Sequence, residues 1–172
     1  MSSRILGLFA LICLFGCAAE RNAVRPDIAL PAILDRTYER TGDGSLVLLD
    51  RLGEPERVET EPVENRHVPG QIDTLRTLMF DGLAVEVYAV ADGKELLQEV
   101  RVTGPGYETA EGLGVGSARA AVRDVLGAPV RTEGDTVTYE VLESPDDPTP
   151  TQLHVRYDGD RVAAMTWSYY VD

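Results

Sequence analysis

The chain has 172 residues, with 29 acidic and 16 basic side chains and a net charge of −13 at neutral pH. A surface this acidic repels nucleic acids and anionic lipid headgroups, so neither is expected as a partner. The two cysteines, Cys13 and Cys17, both lie near the N-terminus. No disulfide is expected in the folded part, and its stability must come from packing.

The first sixteen residues have the pattern of a secretory signal. Arg4 is a small positive region, and residues 5–15 form an apolar run too short for a stable membrane-spanning helix. The run ends in a Leu-Phe-Gly-Cys motif at Cys17, which resembles the bacterial lipobox, although the Phe is larger than the usual residue. The resemblance implies removal of residues 1–16 and a covalent N-terminal lipid on Cys17.

An ordinary secretory peptide, cut after Ala18 or Ala19, is the alternative, and it would discard Cys17. In lipoproteins, an Asp after the acylated cysteine is a signal for retention in the inner membrane. Ala18 at this position therefore predicts an outer-membrane lipoprotein that faces the periplasm. Residues 17–30 are small, charged and interrupted by Pro26, and they are predicted to be a tether. The lipid would then be the chain's one contact with the membrane.

The first predicted helix covers residues 44–52, with Asp43 as its cap. This segment has its Gly, Asp, Leu-Gly and Pro residues at the same spacing as residues 116–129, where the helix pattern is stronger. Residues 54–70 follow with three prolines and many glutamates. They are predicted to form a short edge strand at best, and then a loop.

Three strands are predicted next, at residues 73–80, 83–91 and 95–102. They are separated by Asp-Gly pairs at 81–82 and 92–93, and Asp-Gly is the pair that tight type I′ hairpin turns favour. The sequence therefore predicts an antiparallel meander.

A Thr-Gly-Pro-Gly break at residues 103–106 precedes the second predicted helix. Ser117 is its predicted N-cap, Gly127 its predicted left-handed C-terminal residue, and Pro129 prevents continuation. An apolar stripe at helical period consists of Ala118, Ala121, Val122, Val125 and Leu126.

Further strands follow the second helix. Alternating apolar residues mark two of them, namely Val137, Tyr139 and Val141 on one and Leu153, Val155 and Tyr157 on the next. An Asp-Gly pair at 158–159 turns the chain into a last strand at 161–171. The predicted fold class is therefore α+β, with two tandem helix-plus-antiparallel-sheet repeats, at 31–103 and 104–172, that share one continuous sheet.

The Gly-Leu-Gly-Val-Gly-Ser-Ala-Arg-Ala-Ala-Val-Arg-Asp-Val-Leu-Gly-Ala-Pro segment, with strands and an Asp-Gly hairpin behind it, resembles the SmpA/OmlA (BamE-like) domain of outer-membrane lipoproteins. The two-copy arrangement is similar to the architecture of the β-lactamase inhibitory protein family. The resemblance covers about residues 40–172. It implies a fold and a place in the cell envelope, and it implies no catalytic residue.

Residues with catalytic or metal-binding chemistry are sparse. His67 and His154 have no second ligand at metal spacing, so no metal is expected. The serines do not stand in a nucleophile-elbow motif, and the Gly-rich run before the second helix lacks the Gly-Lys-Ser/Thr of a phosphate loop. No cofactor other than the lipid on Cys17 is expected, and the protein is predicted not to be an enzyme. An unrecognised carboxylate site is the enzymatic alternative, and it requires a buried carboxylate pair at the foot of a deep pocket.

The predicted function is protein binding or envelope scaffolding through the open face of the sheet, with an envelope protein as the partner. The alternative is an inhibitor or immunity-type protein that blocks a periplasmic or incoming hydrolase with the same face. Trp167 is assigned to the core. The outward residues are predicted to be Glu86, Tyr88, Glu99, Arg101, Thr138, Glu140, His154, Arg156 and Tyr170.

Overall fold

A computed structural model describes residues 54–141 and 151–169, together with the backbone of three short strands nearer the N-terminus. The short strands are β1 (Ala23–Val24), β2 (Tyr38–Arg40) and β3 (Leu46–Leu48). The other strands are β4 (Arg57–Glu64), β5 (Ile72–Phe80), β6 (Leu83–Ala89), β7 (Glu95–Val102), β8 (Arg131–Glu133), β9 (Thr136–Val141), β10 (Thr151–Asp158) and β11 (Arg161–Ser168). The helix in this part of the chain is α1 (Arg119–Leu126).

Strands β4 to β11 form one antiparallel sheet, in the order β4-β5-β6-β7-β11-β10-β9-β8. The chain passes from β7 through α1 before it returns to the sheet, and β11 then pairs with β7. Strand β1 lies in the segment predicted as a tether. It pairs in parallel with residues 140–141 of β9, and β8 pairs with residues 136–138 of the same strand. Strands β2 and β3 form a separate antiparallel pair.

The predicted meander is confirmed, because β5, β6 and β7 pair in sequence through the two Asp-Gly turns. Gly82 in the first turn has φ +71°, and a Cβ atom there would lie 2.5 Å from the Cα atom of Gly104. Gly104 belongs to the Thr-Gly-Pro-Gly break. The break therefore serves as a close backbone packing point against the β5–β6 turn.

Helix α1 forms where the second helix was predicted, but it is shorter and its start differs. It begins after Ala118, which has extended backbone angles and makes no side-chain cap. The hydroxyl of Ser117 instead accepts a hydrogen bond from the Gly114 N–H at 3.0 Å, so the prediction of Ser117 as N-cap is wrong. Gly127 ends the helix with φ +78°, as predicted. Only Val122 and Leu126 of the predicted stripe are buried.

The predicted fold class is wrong. The described residues form an antiparallel sheet of eight strands with one short helix, and not two helix-plus-sheet repeats. The first predicted helix, at 44–52, is contradicted at its centre, where Leu46–Leu48 is strand β3. The apolar run there is short, and a short run fits a strand as well as a buried turn of helix. Gly, Asp and Pro are also common in turns, so their shared positions did not require a helix at 44–52.

The core lies on one face of the sheet, beneath α1. One row of directly opposed residues crosses five strands from β6 to β9, and each member is at most 2% exposed. The row consists of Val85, Val100, Trp167, Leu153 and Tyr139. Val122 and Leu126 of the helix belong to the same cluster. The assignment of Trp167 to the core is confirmed.

The open sheet face and its end groove

The strand register places the predicted site residues on the face opposite the core. Glu86 is directly opposite Glu99, which is opposite Ser168 of β11, and the same row continues to Glu140. Arg101, His154 and Thr138 lie in the neighbouring row. Tyr88 and Arg156 occupy the same face two residues along their strands, because side chains alternate. We call this side the open face. Tyr170 lies outside the described residues.

Thr138 does not offer a contact surface, contrary to the prediction. It is 4% exposed, and its hydroxyl lies 3.1 Å from Nδ1 of His154. Burial, with a smaller contribution from the nearby charge of Arg131, lowers the pKa of His154. This end of the open face therefore carries a neutral histidine at pH 7.

Three ion pairs on the open face join oppositely charged residues two positions apart on one strand. Arg101 contacts Glu99 at 2.5 Å, Arg57 contacts Glu59 at 3.0 Å, and the third pair, on β8, is Arg131 with Glu133 at 3.5 Å. All of these side chains except the half-buried Glu99 are largely exposed, so each pair contributes little to stability. The carboxylates of Glu59, Glu99 and Glu133 are therefore each neutralised by an arginine.

Glu86 is an exception, because it lies opposite another carboxylate. Burial raises its pKa, and the opposed Glu99 raises it further. Its carboxylate accepts a long hydrogen bond of 3.4 Å from the Thr77 hydroxyl. The Glu86–Glu99 pair is half-buried on the open face and does not lie at the foot of a deep pocket.

A groove of about 390 Å³ lies at the end of the open face, among β4 to β7. Its floor contains a row of opposed residues from three strands, Leu75, Tyr88 and Leu96. All three are half-buried. Residues 64–67, at the end of β4 and the start of the β4–β5 loop, form its rim, with Arg66 exposed. We call this feature the end groove, and its volume lies within the range of small-molecule and side-chain pockets.

Asp73 fixes the walls of the end groove. It is 1% exposed and accepts four hydrogen bonds: from Tyr88 Oη at 2.6 Å, Asn65 Nδ2 at 2.6 Å, Gln71 Nε2 at 2.8 Å and the Ala91 N–H at 3.0 Å. These bonds, of which that from Tyr88 is the strongest, lower the pKa of Asp73 to about 2. One carboxylate thus holds the floor aromatic, the rim loop and the β6–β7 turn together.

Two backbone devices complete the end groove. The Oδ1 atom of Asn65 accepts hydrogen bonds from the N–H groups of His67 and Val68, both at 2.8 Å, which closes the rim loop as an Asx turn. On β7, the register shifts by one residue, so Gln98 is the extra residue of a β-bulge. The bulge turns Gln98 toward the groove, and bulges commonly re-aim a side chain in this way.

A shallow depression adjoins the end groove and shares Leu75 with it. Its other lining residues are Glu59, Thr60, Glu61, Thr77 and Glu86. We call it the acidic depression. The apolar floor of the end groove therefore continues into a carboxylate-lined surface on the same sheet face.

Sequence reasoning did not find the end groove. It assigned Tyr88 to the open face but none of the residues around it. One signal was available, because Leu96 and Leu97 are adjacent and a regular strand cannot turn both toward the core. Leu97 does pack on the core, and Leu96 lines the groove. A second signal was Asp73, an acidic residue at the start of an apolar strand.

Comparison with protein-family models, with curated proteins and with solved structures gave no match. The resemblance to the SmpA/OmlA domain stays a prediction. Across residues 54–141 and 151–169, no cluster of three or more His, Cys, Asp or Glu side chains has a metal-binding arrangement. In the same part of the chain, no helix is both long and apolar enough to cross a membrane. Cys17 lies outside the described residues.

Proposed function

We propose that the protein is a non-enzymatic outer-membrane lipoprotein that binds an envelope protein through its open sheet face. The observation that carries the proposal is the end groove. Five apolar side chains meet there on a face that is mostly polar elsewhere: Val63, Leu75, Tyr88, Val90 and Leu96. A half-exposed apolar cluster with a polar surround is typical of a binding site.

Preorganisation supports the same function. Tyr88 is held by Asp73 at 2.6 Å, so its ring loses little freedom when a partner packs on it. Rigid aromatic residues in a preformed pocket are common anchors of protein interfaces. The remaining half of the open face, with Arg101, Arg156 and Glu140, has the mixed charge of an interface rim.

Site-specific photo-cross-linking in the bacterial envelope tests the proposal. A photoreactive side chain is placed at Glu99 and, separately, at Arg156, both on the open face. Asp124, which is exposed on the helix side of the sheet, is the matched control. We expect one protein adduct from the open-face positions and none from Asp124. Equal adducts from all three, or none from any, would contradict the proposal.

The identity of the adduct separates scaffolding from inhibition. A housekeeping envelope protein supports the scaffold function, and a hydrolase supports the inhibitor alternative, which uses the same face.

Lipidation has its own test. Labelled palmitate should be incorporated into the wild type and not into Cys17→Ser. A mature protein that begins beyond Cys17 would contradict the lipoprotein part of the proposal, and membrane fractionation tests the outer-membrane assignment independently.

A further inference from the structure

The end groove and the acidic depression present one composite surface, made of two adjacent rows of opposed residues. One row runs Glu61, Leu75, Tyr88, Leu96, and the other runs Glu59, Thr77, Glu86, Glu99. The first row contains the apolar floor, and the second is mainly acidic. A ligand that lies across both rows must therefore be apolar at one point and polar at the next.

The charges around this surface are unequally neutralised. Arg57 contacts Glu59, and Arg101 contacts Glu99. Within residues 54–141 and 151–169, no basic side chain forms an ion pair with Glu61 or Glu86. The exposed Arg66 stands at the groove rim and not in the acidic depression. Arg101 is close enough to Glu86 for its charge to lower the pKa of Glu86, but the ion pair of Arg101 is with Glu99. A cation in the depression would meet two carboxylates without an ion-pair partner, and an anion there would be repelled.

The geometry of the sheet also sets a spacing. The two rows are two residues apart along β4, β5 and β6, which is about 7 Å, and the bulge at Gln98 adds one residue between them on β7. Neighbouring strands are about 5 Å apart. In an extended peptide, side chains on one side also repeat every two residues, at about the same 7 Å. An aliphatic residue above the groove floor therefore brings a residue two positions away from it close to the acidic depression.

We propose that the composite surface binds an extended segment of the partner protein, with an aliphatic side chain in the end groove and a lysine or arginine two residues away in the acidic depression. The inference rests on the proposed function, because it takes the occupant to be a protein. The recognised pattern is then an aliphatic and a basic residue separated by one residue. The net charge of −13 attracts such a segment from a distance.

Synthetic peptides provide the probe. Four nonapeptides are identical except for a central Leu-Thr-Lys, Leu-Thr-Glu, Ala-Thr-Lys or Leu-Lys-Thr, and each is titrated into the isotope-labelled protein while amide chemical shifts are followed. We expect the Leu-Thr-Lys peptide to change the amide chemical shifts of Leu75, Glu86 and Tyr88. We also expect it to bind roughly fivefold more tightly than Leu-Thr-Glu and Leu-Lys-Thr, since an exposed ion pair contributes up to about 1 kcal/mol. It should also bind more tightly than Ala-Thr-Lys, because alanine buries less apolar area on the groove floor.

Two variants localise the effect. Glu86→Gln should remove most of the advantage of Leu-Thr-Lys over Leu-Thr-Glu. Asp124→Asn, which removes an exposed carboxylate on the helix side of the sheet, should leave that advantage unchanged. Leu96→Ala should weaken binding of the three Leu peptides and not of the Ala peptide. Chemical shifts of residues far from the groove report whether each variant is folded.

The outcomes separate this inference from the proposed function. Equal affinity for all four peptides, or shifts centred away from the composite surface, would overturn the inference. If the open-face cross-links to a partner still form in that case, the proposed function stands and the partner binds elsewhere on the face. If those cross-links are absent as well, both fall.

Discussion

The two halves of the sheet are both built from antiparallel strands, but they have different roles. Of the described residues, the half from β8 to β11, with α1 above it, contains the four largest fully buried side chains: Trp167, Tyr139, Leu153 and Met165. The half from β4 to β7 buries smaller residues, and its distinctive feature lies on the other face, where Asp73 organises the end groove. One half therefore supplies most of the bulky core, and the other supplies the candidate binding site.

Trp167→Ala is expected to have the largest effect, because Trp167 lies at the junction of the halves. It is 1% exposed and pairs with Val100 of β7 on one side and Leu153 of β10 on the other. The free energy of unfolding should fall by about 3–5 kcal/mol. Thr166→Ala, next to it on the open face, should change it by less than about 0.5 kcal/mol. Denaturant titration measures both, and equal effects would show that the core does not lie on the side we assign.

Leu126→Ala tests how firmly α1 is docked. Leu126 is buried in the core cluster, so its truncation should cost about 2–5 kcal/mol. Val125, the preceding residue, is 36% exposed and therefore buries less apolar area. Val125→Ala should lower the free energy of unfolding by less than about 1 kcal/mol. A Leu126→Ala variant with an unchanged denaturant midpoint would mean that the helix does not pack on the sheet.

Gly82→Ala and Gly93→Ala compare two Asp-Gly turns of the first half. Both glycines have positive φ, so each substitution should cost about 1–3 kcal/mol in backbone strain. Gly82→Ala should cost more, because its Cβ would also meet the backbone of Gly104, whereas nothing lies within 4 Å of the Gly93 position. Thermal unfolding at one pH measures the difference. Equal losses would remove the proposed packing point at the Thr-Gly-Pro-Gly break.

The sequence predicted the strands of both halves better than it predicted what covers them. Alternation and Asp-Gly pairs located β5, β6 and β7, because these signals are local. The first helix was wrong because a short apolar run at Leu46–Leu48 has no periodicity that excludes a strand. The end groove was missed because it depends on long-range partners of Asp73 and on a one-residue bulge at Gln98. The adjacent Leu96 and Leu97 and the acidic start of β5 are local signals, but they do not show which residues meet across the sheet.

The pH dependence of stability tests whether Asp73 stabilises the half from β4 to β7. The pKa of Asp73 is about 2 in the folded protein and 3.8 ordinarily, so folding favours the charged form. Its stabilisation is complete above about pH 4 and is lost as the pH falls toward 2. Asp73→Asn should therefore be destabilised at pH 6 and should lose part of the acid sensitivity of the wild type. Asp124→Asn, on the exposed side of α1, is the control, and parallel profiles for all three proteins would contradict the role of Asp73.

Glu86→Gln should have the smallest effect, and in the opposite direction. Burial and Glu99 raise the pKa of Glu86, so its charged form destabilises the fold. The substitution should raise the free energy of unfolding by less than about 0.5 kcal/mol at pH 7. The gain should disappear as the pH falls through the raised pKa, because the wild-type side chain is then neutral too. A loss of stability at pH 7 would mean that Glu86 has a stabilising cation partner.

Amide hydrogen exchange is measured on the full chain, alone and with the partner protein identified by cross-linking. It tests most directly whether the half from β4 to β7 supplies the binding site. Binding should slow exchange at the groove rim, residues 64–68, and in β5 and β7, while α1 and the core strands of the second half keep their rates. Protection confined to α1, or to β8 and β9, would contradict the assignment of the end groove as the binding site.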